Sequence, residues 1–325
     1  MIITRTPLRI SLGGGGTDLP SYYERGDGGF LIAAAISRHV YIAVNRNFDG
    51  DLLLKYSETE RVEKPQDVAH PLLREGLLVS EVSGGVEVSA MADVPAGTGL
   101  GSSGAFTVGL LRALLTLRRR TVEPKQLAAM ACEIEMHRLG APVGKQDPYI
   151  TSVGGVTAFG FRPDGSVDVQ PIELSDDDRD RLEDNLLLFY TGVRRSAADE
   201  LSSQGAAAAG AQGTRENLDA VRELGIESQR LLEGGDLESF AGLLTEQWRR
   251  KHERSPSAIH DQVEDWIRAG LACGARGGKL VGAGGGGFLL FYAEEKPQLR
   301  RAMADLGLEE VRFGFDYGGS TTVVP

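Results

Sequence analysis

Apolar residues recur at helical spacing from Phe106 onward, at Gly109, Leu110, Ala113, Leu114 and Leu117, and Val108, Leu111 and Leu115 fill the remaining sides. A helix that is apolar nearly all round is a buried one. A second helix is predicted over residues 121–140, with Pro124 near its start, Leu127, Met130, Ala131 and Ile134 on one side, and Gly140 past its end. Glu133 and Glu135 lie about 200° apart on that helix, so only one of them faces a shared site. Three more helices are expected over 214–232, 237–251 and 256–273, with Asp236 and Ser255 as N-caps, and a shorter one over 297–307. Strands are read at 2–5 and 8–12 on either side of Pro7, at 30–36, 86–91, 186–190 and 288–293, and finally at 311–317 and 321–324. Residues 40–44 and 52–56 read as a hairpin-like pair, and Gly154-Gly155 as a turn into a strand. Helices and strands alternate irregularly in both halves, which is an α+β pattern.

At 325 residues the chain exceeds a typical single domain. The acidic stretch SDDDRDRLED at 175–184 marks a composition shift, so domains are expected over 1–178 and 179–325. The 41% hydrophobic and 25% charged residues are those of an ordinary globular protein. A net charge of −11 argues against a nucleic-acid partner, whose phosphates demand clustered Lys and Arg. The short basic runs at 118–120 and 249–251 read as solvated helix ends. No apolar run approaches the roughly 18 residues of a membrane span, and the first residues lack the pattern of an export leader. Cys132 and Cys273 have no metal-ligand spacing, which fits a reducing, cytoplasmic setting.

The chemistry concentrates in glycine-rich loops. Residues 93–101, DVPAGTGLG, run into the first helix, where Gly97, Gly99 and Gly101 let backbone approach a ligand and Ser102 and Ser103 add hydroxyls. The helix start directs unpaired amides at an anion. The bland alternative is a turn that lets a strand meet a helix closely. Gly99, Gly101 and Gly104 also spell the GxGxxG of dinucleotide-binding folds, but the nearest strand-like run is separated from the loop by residues 94–97. The GxxxxGK[ST] phosphate loop is absent. Four glycines occur again at 13–16, followed by Thr17 and Asp18, and at 284–287 after an apolar run, and a loop at 141–147 ends in the carboxylate Asp147.

Three such loops in one chain are better explained by a shared anionic ligand than by three unrelated turns. In order, Thr6-Pro7-Leu8-Arg9 with Gly14 to Asp18, then Pro95 to Ser103, then Lys279 to Gly287 resemble the three motifs of the GHMP kinase superfamily, named for galactokinase, homoserine kinase, mevalonate kinase and phosphomevalonate kinase. The resemblance spans nearly the whole chain. GGGGTDLPSYYERGDGG, LGSSGAFTVGLLRAL, GKQDPY, YTGVRRSA and Glu246-Gln247-Trp248 most resemble the D-glycero-D-manno-heptose 7-phosphate kinases within it.

The resemblance implies two domains, the first similar to the second domain of ribosomal protein S5 and the second ferredoxin-like, with ATP and a sugar meeting between them. It implies ATP binding at Pro95, Gly97, Gly99, Leu100, Gly101, Ser102 and Ser103. Mg²⁺ is expected on Ser103, with Ser102 as the alternate, and on Glu135. Asp147 matches the catalytic aspartate and Arg9 the basic residue paired with it. Gly15, Gly16, Thr17, Asp18, Asp147, Gly284 and Gly285 are expected to meet the substrate, and Arg195, with Arg25 and Lys251 behind it, to hold a distal phosphate. Lys145 and His137 read as structural. Two departures stand out: Gly104 replaces the usual alanine or serine, expected to change little, and Pro148 replaces a glutamine beside the catalytic aspartate.

The expected reaction is phosphorylation of a heptose 7-phosphate at its anomeric oxygen, in nucleotide-sugar biosynthesis, by a monomer or homodimer that binds neither nucleic acid nor membrane. Another sugar or cyclitol kinase, fucokinase-like or galactokinase-like, is the alternative within the class. A catalytically inactive sugar and ATP sensor is the alternative outside it.

Overall fold

The computed structural model describes residues 1–193, 212–254, 258–282 and 286–325. The chain opens with β1 (Ile2–Gly13), a short helix α1 (Pro20–Tyr23) and the long strand β2 (Gly29–Arg46). Two pairs of expected strands are therefore continuous. Pro7 has no amide to donate and residues 37 and 38 are extra in β2, so both irregularities meet at one register shift, where Pro7 faces His39 and Leu8 faces Ile36. That local break is what made each strand read as two.

Next come β3 (Leu52–Lys55), β4 (Thr59–Val62), α2 (Pro71–Val79) and β5 (Val86–Ala92). The hairpin expected between 40–44 and 52–56 does not form, because β2 gives that edge to β5 and β3 lies beyond it, parallel to β5. The buried helix α3 (Ser102–Leu117) follows, then α4 (Pro124–Cys132), which runs into a wider π-helical turn, Glu133–Arg138. Glu135 is buried there and Glu133 is exposed, as their angular separation requires. Asp147 is not in a loop: it lies in the first turn of α5 (Gln146–Val153). Pro148 lies in the same turn, where amides have no intrahelical partner, so proline costs nothing there. Strands β6 (Val156–Phe161) and β7 (Val167–Pro171) complete this half, β6 pairing with the first half of β2.

Ser175 caps α6 (Asp176–Asn185), which leads to β8 (Leu186–Tyr190). Helices α7 (Gln212–Glu233), α8 (Leu237–Arg254) and α9 (Ala258–Ala272) precede β9 (Gly277–Leu280), β10 (Phe288–Tyr292), α10 (Lys296–Asp305) and the two-residue β11 (Glu309–Glu310). The order β11-β8-β10-β9, antiparallel throughout, is a ferredoxin-like sheet. The α+β expectation holds.

Residues 311–317 are not a strand, apart from one bridge between Phe315 and Ile36. Val311, Phe313 and Phe315 do pack on the core, so their alternation is real burial without sheet pairing. This segment carries the chain back to the first sheet, where β12 (Thr321–Val324) pairs with β1. The crossing is fastened by a buried pair, His39 Nε2 to Asp316 Oδ2 at 2.8 Å. The boundary expected at 178/179 falls within the first turn of α6, and the final strand returns to the first sheet.

The two sheets meet at their glycine loops. Gly282 has φ +80°, and a Cβ there would lie 2.4 Å from the carbonyl oxygen of Gly99. Gly282→Ala should therefore lower the urea unfolding midpoint more than Gly50→Ala, which has the same φ of +80° and nothing within 4 Å. Backbone strain alone costs about 1–2 kcal/mol at either site, and the clash adds about 1–3 kcal/mol at Gly282. Equal midpoints for the two variants would mean that the loops do not pack as described.

Candidate active site

A cavity of about 900 Å³ lies between the two sheets. From the first half it is lined by Arg9, Asp18, Ser103, Glu135 and Asp147, and from the second by Gln247, Lys251, Arg254 and Lys279. Each group is brought there by an element already described.

The second glycine loop enters α3 through Gly101, at φ +76°, and no side chain caps the helix. Its first-turn amides are left for a ligand, at the positive end of the helix dipole. Pro95, Gly97, Gly99, Gly101, Ser102 and Ser103 all line the cavity. Leu100 does not: its side chain is fully buried and its carbonyl accepts the amide of Arg9 at 3.0 Å.

Arg9 is buried on β1. Its Nε donates to Asp147 Oδ1 at 2.7 Å, its Nη2 to Asp147 Oδ2 at 3.0 Å, and its Nη1 to the carbonyl of Gly99 at 2.5 Å. This bidentate fork fixes the carboxylate plane against the phosphate loop. Gly104 matters more than the sequence suggested. A Cβ there would lie 2.7 Å from Asp147 Cβ and 2.9 Å from Pro148 N, so the two departures from the family pattern touch each other.

Ser103 donates from Oγ to Glu135 Oε1, and Thr107 Oγ1 donates to the same oxygen at 3.4 Å. Burial pushes the Glu135 carboxyl up to about 7, the hydroxyl of Ser103 opposing and the charge of Asp147 adding to the rise. A buried carboxylate whose partners among the described residues are hydroxyls suits a cation. No cluster of three or more His, Cys, Asp or Glu able to hold a metal occurs among the described residues. Mg²⁺ fits such a sparse set, since it commonly takes one or two protein oxygens and completes its shell with substrate phosphates and water.

Asp18 is buried, accepting at Oδ1 from the amide of Gly16 and at Oδ2 from that of Gln146, both at 3.2 Å. Burial raises its pKa, and the two amides oppose the rise. Gly15 and Gly16 line the cavity, whereas Gly14 packs against the backbone of Phe30. Thr17 is fully buried, bonded through Oγ1 to the carbonyls of Gly14 and Phe30 at 2.8 Å. It shapes the loop and does not meet the cavity. Lys145 sits over the Tyr23 ring and bonds the carbonyl of Gly165, a structural role. Arg25 is exposed and does not line the cavity. Arg195, Gly284 and Gly285 lie outside the described residues.

Several lining residues were given no role from the sequence, and Lys251 only that of a reserve for the distal phosphate. Lys279 is buried, donates to Gln247 Oε1 at 3.1 Å, and is pushed down to about 7 by burial and by the charge of Arg9. Gln247, Lys251 and Arg254 share one face of α8. Their helical spacing was visible, but the run at 249–251 read chiefly as a solvated helix end; Arg249 and Arg250 do pair with Glu246 and Glu253 at the surface, while Lys251 lines the cavity. An aromatic end, with Tyr56, His70 and Phe106 in ring contact, also went unread.

Residues 63–155 match the family described as GHMP kinases N terminal domain, and residues 228–307 match GHMP kinases C terminal, together more than half of the chain. The chain belongs to the GHMP kinases. It is an ATP-dependent phosphotransferase. D-glycero-alpha-D-manno-heptose 7-phosphate kinase of Campylobacter jejuni is 28% identical over 90% of this chain and 89% of its own length. A galactokinase of Pyrococcus furiosus is 25% identical over 88% of this chain and 87% of its own. The solved D-glycero-D-manno-heptose 1-phosphate kinase of Bacteroides thetaiotaomicron superposes with a TM-score of 0.82 at 23% identity, covering 100% of this chain and 99% of its own, and shows the fold.

Two measurements test the kinase site. Glu135 is an acid held above its ordinary 4.5, so its stabilising contribution is full below that value and is lost as pH rises through about 7. Without metal, Glu135→Gln should be more stable than the wild type at pH 8, by on the order of 2–3 kcal/mol in urea unfolding, and nearly equal to it at pH 4. A constant difference across that range would contradict the burial of this carboxyl. Gly104→Ala should push α5 away, lowering turnover by about tenfold or more, in line with the sensitivity of catalysis to ~1 Å displacements. Wild-type turnover in that variant would show that α5 tolerates the added methyl.

Proposed function

We propose that the kinase transfers the γ-phosphoryl group of ATP to the anomeric hydroxyl of D-glycero-D-manno-heptose 7-phosphate, giving the 1,7-bisphosphate, with Mg²⁺ as cofactor. The observation that carries the reaction type is the Arg9 fork on Asp147, set beside the uncapped start of α3. Similarity to the Campylobacter jejuni heptose 7-phosphate kinase over nine-tenths of both chains supports the acceptor.

In this reading the ATP phosphates lie along residues 95–103 and the α3 amides, with the base towards Tyr56, His70 and Phe106. Ser103 and Glu135 hold Mg²⁺, which neutralises charge on the transferring group when bound. Asp147 orients the acceptor hydroxyl and accepts its proton. Two oxygens offer about four acceptor directions, so a carboxylate that takes two bonds from Arg9 keeps capacity for the substrate. Arg9 adds positive charge near the developing anionic centre. Asp18, with Gly15 and Gly16, meets the sugar hydroxyls, and Gly284, Gly285 and Arg195 remain candidates for the same end. The enzyme works on small molecules in the cytoplasm, as monomer or homodimer, in nucleotide-sugar biosynthesis. No helix among the described residues is long and apolar enough to cross a membrane.

The galactokinase similarity favours, as a second reading, a free hexose as acceptor. A panel of sugars and sugar phosphates with ATP and Mg²⁺, followed by NMR location of the new phosphate, separates the two. Heptose 7-phosphate should be the best acceptor, with the phosphate on C1. An inert heptose 7-phosphate beside a reactive free hexose rejects the first reading, and ATP binding without transfer to any acceptor marks a sensor.

A further inference from the structure

The acceptor end of the cavity holds three polar groups that the reaction as described leaves idle. Ser11 Oγ and Gln146 Nε2 are buried, and neither has a hydrogen-bond partner among the described residues, although both residues line the cavity. Buried polar atoms are nearly always paired, so such orphans call for an absent partner. Ser11 adjoins Gly15, where an added Cβ would lie 3.3 Å from Oγ. Gln146 precedes Asp147 on α5, and its amide already holds Asp18. These groups therefore surround the carboxylate assigned to sugar hydroxyls.

Arg254 closes the same end. It is the last residue of α8, and its Nη2 lies 3.6 Å from where a Cβ on Gly16 would sit. Its one described partner is neutral: Nη1 donates to Asn217 Oδ1 at 2.9 Å. Asn217 in turn donates from Nδ2 to the carbonyl of Arg250 at 3.0 Å, which leaves its oxygen turned to the guanidinium. No carboxylate pairs with Arg254 among the described ion pairs, and burial pushes it down to about 10. The other cations of the cavity are committed elsewhere. Arg9 holds Asp147, Lys279 bonds Gln247, and Lys251 reaches the carbonyl of Gly282 beside the nucleotide loop. A desolvated guanidinium with free donors matches a phosphate monoester in shape and charge.

Building on the sugar-kinase reading above, we propose that Arg254, positioned by Asn217, binds the distal phosphate of the acceptor, while Ser11 and Gln146 take hydroxyls of the polyol between that phosphate and the reacting oxygen. The site then selects acceptors already phosphorylated at the end remote from the transferred group. Arg254 thereby joins Arg195, which lies outside the described residues, as a group for the distal phosphate.

The test compares kcat/KM for heptose 7-phosphate and hexose 6-phosphates with that for the corresponding free sugars, in wild type, Arg254→Gln and Arg254→Lys. The wild type should prefer the phosphorylated member of a pair, and Arg254→Gln should reduce that preference by about 10- to 100-fold. Arg254→Lys should restore part of it, and an unchanged KM for ATP shows that the variants fold. A preference retained in Arg254→Gln overturns the inference and leaves the heptose reading standing. A wild type indifferent to the distal phosphate overturns the inference as well. If another phosphorylated sugar reacts, heptose 7-phosphate is inert, and the preference still falls in Arg254→Gln, the inference stands and the heptose assignment fails.

Discussion

The site depends on one buried guanidinium. Burying a charge is tolerable only when its donors are met by well-placed acceptors, and Arg9 meets that condition with both oxygens of Asp147 and the carbonyl of Gly99. Its own amide holds the carbonyl of Leu100. One residue on β1 thereby locks the phosphate loop and the start of α5 into a single arrangement. The close contact of Gly104 with Asp147 follows from that lock, because α3 and α5 are drawn together until only a hydrogen fits between them.

A second constraint joins the halves of the molecule. The loops of the second sheet press backbone on backbone against the loop that opens α3, at Gly282 and Gly99. Only that approach brings Lys279 and the inner face of α8 over the carboxylates of the first half. The resulting cleft holds opposed buried groups, Glu135 pushed up to about 7 and Lys279 pushed down to about 7. Both sit near neutrality because burial penalises either charge, so ligands that supply the missing counter-charges favour the ionised forms of both. Anionic phosphates with a divalent cation meet that need together.

The parts legible in the sequence were those that chemistry writes locally. Glycine runs, paired serines and helical spacing marked the phosphate loop, and GKQ drew attention to the carboxylate of Asp147, whereas the roles of Ser103, Glu135, Arg9 and Asp147 came from the resemblance to the GHMP kinases. What stayed hidden depends on contacts between distant segments. Pro7 and the extra residues in β2 looked like strand breaks because their compensation lies in the partner strand. Thr17 and Leu100 look like their ligand-facing neighbours, and only their burial separates loop supports from loop ligands. Gly104 appeared neutral until α5 was placed against it. Lys279, Gln247 and Arg254 look like ordinary polar residues of a strand and a helix until the second sheet is folded over the first.

The most direct measurement is single-turnover phosphoryl transfer in Asp147→Asn, together with ATP affinity. The carboxamide keeps the size of the side chain but loses the charge and the basicity. Transfer should fall by about 10²–10⁴-fold while ATP remains bound. Transfer at the wild-type rate would contradict the role given to the Arg9–Asp147 pair.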